Sequence, residues 1–316
     1  MTRIDRVLRS SLKLRHFQLL VALDQFRHLG RAAEFLSVTQ PAVSKSLAEI
    51  ESLFGLPLFE RSTRGTEPTS AGISVVRFAR SVLAGYERTR DEILAEARGA
   101  SGRTSVGAMV VATPVLLAQA VERLKARSSR ITVLVEEGDL TRLLPKLRLG
   151  ELDLFVGRLE PGYASPDLET EALYHDAMVA VVRPGHPLAD QQALAWADLV
   201  SWPCVMPPPW ASLRVKLEQQ FFAHGLHPPA DLMETASFLS QLSFLHQRGA
   251  VAFMAWQVAR HYADQGLLAV LELPVPVDLP PVGLITLRGQ PPTPTTVQLI
   301  DCLREVATYI STGVRP

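Results

Sequence analysis

Residues 31–54 read RAAEFLSVTQPAVSKSLAEIESLF, and the rest of the chain is organised around them. Ala32, Ala33 and Leu36 fall at the spacing of one helix face, and Val43, Leu47, Ile50 and Phe54 mark a second face after a short turn. Thr39 stands where an N-cap belongs, and Pro41 follows in the first turn, where a missing N–H is harmless. The second run keeps Gln40, Ser44, Lys45 and Glu49 on its polar side. The pattern predicts a helix-turn-helix whose second helix presents amide, hydroxyl and ammonium groups at its N-terminal end.

Such a helix can enter a major groove. Gln40 and Ser44 can address base edges, while Lys45 and the capped helix start at Thr39 and Pro41 can hold phosphate. A plain helical hairpin with a polar edge is the alternative that these residues leave open.

At 316 residues, with 47% hydrophobic and 20% charged positions, the chain suits two or three packed units rather than disorder. Its net charge of zero hides an asymmetry. Residues 1–98 hold 15 Lys and Arg against 11 Asp and Glu, and the remainder holds 17 against 21, a slightly basic head on a slightly acidic body. Cys204 and Cys302 are far apart and lack metal-ligand spacing, so reduced, buried thiols are expected. The eight histidines are scattered, and no metal or cofactor is expected. The first residues, MTRIDRVLRSSLKLRHF, carry charges throughout, and no window approaches the roughly 18 apolar residues of a membrane span; a cytoplasmic protein is expected.

Leu14, Phe17, Leu20 and Val21 predict a helix over about 13–26 that completes a three-helix core. After Phe54, GLPLFERSTRGTEPTSAG returns Leu58 and Phe59 to that core and then forms a basic, turn-rich tip. Arg61 and Arg64 are placed there to touch phosphate or a minor groove. From Thr69 a long helix is predicted to about Ala97, with Val76, Ala79, Leu83, Tyr86 and Ile93 in a narrow stripe that suits pairing with a second subunit. Gly99-Ala100-Ser101-Gly102 then reads as a hinge.

Together, AAEFLSVTQPAVSKSLAEIESLFGLPLFERSTRG and the following TSAG resemble the DNA-binding domain of the LysR-type transcriptional regulators, in order and spacing over about sixty residues. Two departures stand out. Arg27-His28-Leu29-Gly30 replaces the Ser or Thr that usually caps the first helix of the motif, and Pro68 occupies the return of the wing. The VTQPAVSKSLAEIE version is similar to family members that regulate sugar or aromatic-compound catabolism.

Beyond the hinge, strand-like and helical runs alternate, which predicts a parallel α/β sheet. TSVGAMVVA, ITVLVEEG and LDLFVGRL read as strands around helices at 115–127 and 140–149. A second set follows, with LADQQALAWADL and LRVKLEQQFFAHG as helices, and a closing helix at 295–310 returns to the first set. Two lobes with a cleft are expected, one at about 103–160 and 268–316, the other at about 161–267. This layout, with LRLGELDLFVG and RPGHPLA, resembles the family's effector domain, which implies the periplasmic-binding-protein fold.

The expected architecture is therefore α+β and multidomain. A winged helix-turn-helix occupies 1–69, a linker or dimerisation helix 70–98, and a two-lobed α/β effector domain 99–316.

Ligands of open α/β units bind beyond the carboxyl ends of strands, near helix N-termini. Thr113, Thr235, Ser237 and the loop ending in Pro209 and Trp210 are candidates on that ground. The resemblance adds Thr141, Phe155 and Val156, and implies a homodimer or homotetramer that binds operator DNA and a small effector, such as an organic acid or sugar derivative. No GxSxG elbow, phosphate loop or dinucleotide fingerprint is present, so no catalytic residue is assigned and an enzyme is not expected. A ligand-binding or transport module and a metabolic α/β enzyme are the competing readings.

Overall fold

The computed structural model describes residues 3–62, 65–97 and 102–312. The chain divides into two compact units, Met1–Arg103 with Leu144–Asp153, and Thr104–Leu143 with Leu154–Pro316.

The first unit opens with α1 (Arg3–Arg6), a further helical turn at Val7–Ser11, α2 (Leu14–Phe26), α3 (Leu29–Phe35) and α4 (Gln40–Phe54). A two-stranded antiparallel wing, β1 (Phe59–Ser62) and β2 (Gly65–Pro68), leads into α5 (Ser70–Ala97). Leu20, Leu23, Ala32, Val43, Leu47, Ile50 and Leu58 form its core, all fully or nearly fully buried. The predicted apolar faces of α2, α3 and α4 converge there because each carries its stripe on one side only. Val7 joins the same core, so the first helical turns also belong to the head.

The second unit holds two five-stranded sheets. In chain order the elements after α5 are β3 (Arg103–Ala108), α6 (Ala118–Arg127), β4 (Thr132–Glu137), α7 (Leu140–Leu149), β5 (Leu154–Arg158), β6 (Leu168–Tyr174) and β7 (Met178–Val182), the second half of α7 falling in the first unit. They continue with α8 (Trp196–Leu199), β8 (Cys204–Met206), α9 (Ser212–Ala223), β9 (Leu232–Glu234), α10 (Phe238–Arg248) and β10 (Val251–Ala255). The last are α11 (Trp256–Asp264), β11 (Ala269–Val270), β12 (Val282–Leu287) and α12 (Pro294–Thr312).

The first lobe has strand order β4-β3-β5-β12-β6, and the second β11-β7-β10-β8-β9. Both sheets are mixed, not purely parallel as expected. β3 runs parallel to β5, but β12 is antiparallel to both β5 and β6, and β7 is antiparallel to β10 and β11. These reversed strands are the ones that carry the chain between lobes.

The lobe boundary also differs from expectation. β6 pairs with β12 and is tied to α12 by a two-pronged Arg304–Glu171 contact at 2.8 Å, so the first crossing lies between Tyr174 and Met178, not near 160. LADQQALAWADL forms only short turns, Pro187–Asp190 and α8, instead of a helix. Among the described residues no helix is long and apolar enough to cross a membrane.

Candidate nucleic-acid interface and effector region

Thr39 caps α4 by accepting from Ala42 N–H at 3.4 Å, with Pro41 in the first turn. Because Val43, Leu47, Ile50 and Phe54 are buried, the opposite edge is fixed outward. Gln40, Pro41 and Lys45 are exposed there, and Ser44 is half-buried. The poorly capped start expected for α3 does not occur. His28 Nδ1 accepts from Gly30 N–H at 3.0 Å and Arg31 N–H at 3.4 Å, so an imidazole does the work of a Ser or Thr.

The wing is locked to the helices by groups with no local sequence signature. Glu51 on α4 accepts from Leu58 N–H at 2.8 Å and Phe59 N–H at 3.1 Å, which pins the first wing strand to α4. Thr66 N–H donates to Arg27 O at 2.9 Å. At Gly65, with φ of +133°, a Cβ would meet that same oxygen at 2.6 Å. Arg27 itself bridges Asp24 at 2.8 Å and Glu67 on β2. Arg61 lies on β1 opposite Thr66, and Arg64 lies outside the described residues.

The TSAG segment has a physical role. Thr69 Oγ1 donates to Pro57 O at 3.0 Å and accepts from Gly72 N–H at 3.0 Å, capping α5. A Cβ on Gly72 would lie 1.9 Å from Leu58 O, so only glycine allows α5 to approach the wing base this closely.

The proposed pairing stripe on α5 divides in two. Val76 and Ala79 are buried in the head's own core against α2, and Leu83 packs half-buried beside them, so Val76 and Ala79 present no surface to a partner. The α2 helix supplies the apolar face that the first turns of the stripe need. Tyr86 is 47% exposed and Ile93 61%, so the outward part of the stripe begins there. Of the expected hinge, residues 99–101 lie outside the described residues.

In the second unit several candidate positions move. Phe155 and Val156 on β5 are completely buried and serve the sheet core, which removes them as ligand contacts. β3 ends at Ala108, so Thr113 does not follow the strand directly. It lies in the turn Thr113–Leu117, where its hydroxyl donates to Met109 O at 3.1 Å. Thr141 is exposed at the start of α7 and donates to Asp139.

The second-lobe candidates come together. Thr235 N–H donates to Met206 O at 3.1 Å, joining the end of β9 to the start of the triple-proline loop. Arg214, nearly buried, braces both sides, donating to Pro207 O at 3.1 Å and to Glu234 at 2.7 Å. Thr235 Oγ1 accepts from Ser237 N–H at 3.0 Å, and Ser237 Oγ accepts from Ser240 N–H at 3.4 Å, capping α10. Pro209 is exposed, and Trp210 is 80% exposed, a large unburied aromatic surface at the end of the triple-proline loop.

A buried polar group that sequence reading missed lies at the crossing between lobes: Arg158, Tyr174 and Asp176. Burial pushes the Asp176 carboxyl up to about 6, against the pull of Arg158 and of backbone donors at the start of α11. Burial also lowers the Arg158 value and raises that of Tyr174. Both cysteines are buried, and burial pushes the Cys204 thiol up to about 12, which keeps it protonated and unreactive. Among the described residues no group of His, Cys, Asp and Glu could hold a metal ion.

A winged helix-turn-helix followed by two α/β lobes defines a DNA-binding regulator with a ligand-binding type of domain. Residues 14–73 match the family described as "Bacterial regulatory helix-turn-helix protein, lysR family", and residues 97–308 match "LysR substrate binding domain". The chain belongs to the LysR family of DNA-binding transcriptional regulators.

Among its relatives, the HTH-type transcriptional regulator GbpR of Azospirillum brasilense is 32% identical over 300 residues, covering 94% of this chain and 87% of that one. PcaQ of Agrobacterium fabrum is 31% identical over 304 residues, covering 96% and 97%. These relatives are named as regulators and not as enzymes. The solved structure of full-length CbnR with its target DNA has a TM-score of 0.69 at 19% identity over 93% of this chain and all of that one, which supports the fold.

Proposed function

We propose that this regulator reads an operator with the exposed edge of α4 and that a small molecule bound between the lobes of its effector domain controls the outcome. Gln40 and Ser44 address base edges, and Thr39, Pro41 and Lys45 set the helix start against phosphate. Arg61 and Arg64 add wing contacts, and two subunits, paired through Tyr86 and Ile93, address a roughly palindromic site. The family's assemblies favour a tetramer built from such dimers.

The observation that carries the reading is the division of α4 into one fully buried face and one exposed polar edge behind a Thr39 cap. The effector is a small organic acid or sugar derivative, held near Thr235, Ser237, Pro209 and Trp210, with Thr113 and Thr141 on the first-lobe side. It acts by favouring one arrangement of the lobes over another, since equal affinity for both would shift nothing. Binding to the chain's own upstream region, measured against random DNA at physiological salt, tests the regulator reading. A metabolite screen by thermal shift, repeated on operator complexes, tests effector control.

A further inference from the structure

The imidazole of His28 is held at the start of α3 by one of its two nitrogens. Nδ1 accepts from Gly30 N–H at 3.0 Å and from Arg31 N–H at 3.4 Å. A ring nitrogen that accepts keeps its lone pair, so the proton of the neutral imidazole sits on Nε2. The two backbone bonds therefore fix the tautomer as well as the ring. The bond directions of the two nitrogens diverge widely in an imidazole, so Nε2–H points away from the backbone that holds Nδ1. His28 is exposed, and its Nε2 has no hydrogen-bond partner among the described residues.

The neighbouring position is glycine, and it brings a second side chain close. A Cβ on Gly30 would stand 3.1 Å from His28 Cε1 and 3.3 Å from His28 Nδ1, and 3.7 Å from Gln40 Oε1. The imidazole and the Gln40 amide thus approach the same α-carbon, one from the start of α3 and the other from the start of α4. Gln40 is exposed as well, and its amide is without a hydrogen-bond partner among the described residues. Two unused polar groups, from two helices, stand together on one outward edge.

Helix-turn-helix geometry says what such an edge meets. The second helix lies in the major groove with its first residues at base edges, while the first helix crosses the backbone. A donor from the start of the first helix, beside a base reader at the start of the second, faces the phosphates that border the groove. Phosphate oxygens only accept, which suits an N–H whose tautomer is fixed. A Ser or Thr in this place would put its one polar atom into the cap. Histidine separates the two roles by the width of its ring, capping with Nδ1 and leaving Nε2–H to reach outward.

We propose that His28 is a further DNA-contacting residue, its Nε2–H donating to a phosphate oxygen on the border of the groove that Gln40 reads. The proposal rests on the operator reading of α4 and adds to it a contact from α3. A phosphate contact carries no sequence information, and its part is to hold Gln40 in register over its base.

The test compares the full chain with His28→Ser and His28→Ala on the upstream region and on random DNA, with thermal midpoints of the same proteins. His28→Ser keeps a capping oxygen but has no atom in the place of Nε2. An unchanged midpoint is expected for it, with affinity lowered on the order of tenfold on both DNAs. Its salt slope is expected to match the wild type, because the lost donor is neutral. His28→Ala, which also loses the cap, is expected to lower midpoint and affinity together. Phosphate ethylation interference on the upstream region, at matched occupancy, is expected to lose one position in His28→Ser. Wild-type affinity of His28→Ser on both DNAs, or an unchanged interference pattern, would overturn the contact. So would a loss confined to the upstream region, which makes His28 a base reader, or a salt slope lowered by about one, which makes it a cation. A wild type that prefers the upstream region while His28→Ser binds equally well rejects the contact alone. A wild type without that preference, with His28→Ser weaker on both DNAs, supports the contact and rejects the operator reading.

Discussion

Glu51 Oε1 lies 2.8 Å from Leu58 N and accepts a hydrogen bond from its N–H, so the carboxylate on α4 holds the first residues of the wing. α4, proposed to meet bases, and the hairpin that flanks it are thereby tied together. A second tie, Thr66 N–H to Arg27 O at 2.9 Å, fixes the other wing strand to the end of α2. DNA binding by two such elements depends on their spacing, which these bonds set.

Glu51→Ala leaves the Leu58 and Phe59 amides without their acceptor. A loss of about 1–3 kcal/mol in head stability is expected, together with weaker DNA binding, while Glu51→Gln keeps one acceptor oxygen and loses less. Chemical denaturation of the three proteins measures this. Equal stability of Glu51→Ala and wild type would show that the bonds contribute nothing.

Gly72→Ala drives a methyl group to 1.9 Å from Leu58 O. The start of α5 must then shift away from the wing base, with an expected cost of at least about 2 kcal/mol, the range of overpacked cores. A thermal midpoint unchanged by Gly72→Ala would contradict the close approach.

Asp176 gives the effector domain a pH-dependent term of definite sign. Its folded value of about 6 lies above its ordinary 3.8, so the folded state binds the proton more tightly. Its contribution to stability is therefore fully present below the ordinary value and falls as pH rises from about 4 to about 6, by on the order of 3 kcal/mol for two pKa units. Asp176→Asn should remove this part of the slope. Denaturation midpoints across pH 4–7 check it, and an identical slope in the variant would contradict it.

Pairing through the outward part of α5 makes a separate prediction. Tyr86→Ala with Ile93→Glu should shift the protein toward monomer in sedimentation, because both side chains are exposed on the isolated chain. An unchanged mass would place the pairing surface elsewhere.

Much of the head was legible because its signals are local. The apolar spacing of α2 and α4 and the Thr39 cap follow from short-range rules, as, beyond the head, do the bounds of α7 at Leu140–Leu149. What failed depended on long-range partners. Val76 and Ala79 form a stripe whether α2 or a second subunit covers it, and only the packing of α2 decides. β6 joins the first lobe because β12, more than a hundred residues later, pairs with it. Phe155 and Val156 lie on a strand covered on both faces, where no apolar pattern distinguishes core from cleft. The His28 cap escaped notice because imidazole is an uncommon acceptor at that position.

The most direct test of the central claim is the affinity of wild type, Gln40→Ala and Lys45→Ala for the chain's own upstream region and for random DNA, over a range of salt. Gln40→Ala is expected to lose preference for the upstream site with little change on random DNA. Lys45→Ala is expected to weaken both and to lower the salt slope by about one. Equal losses on both DNAs for Gln40→Ala, or no preference by the wild type, would contradict base reading by the edge of α4.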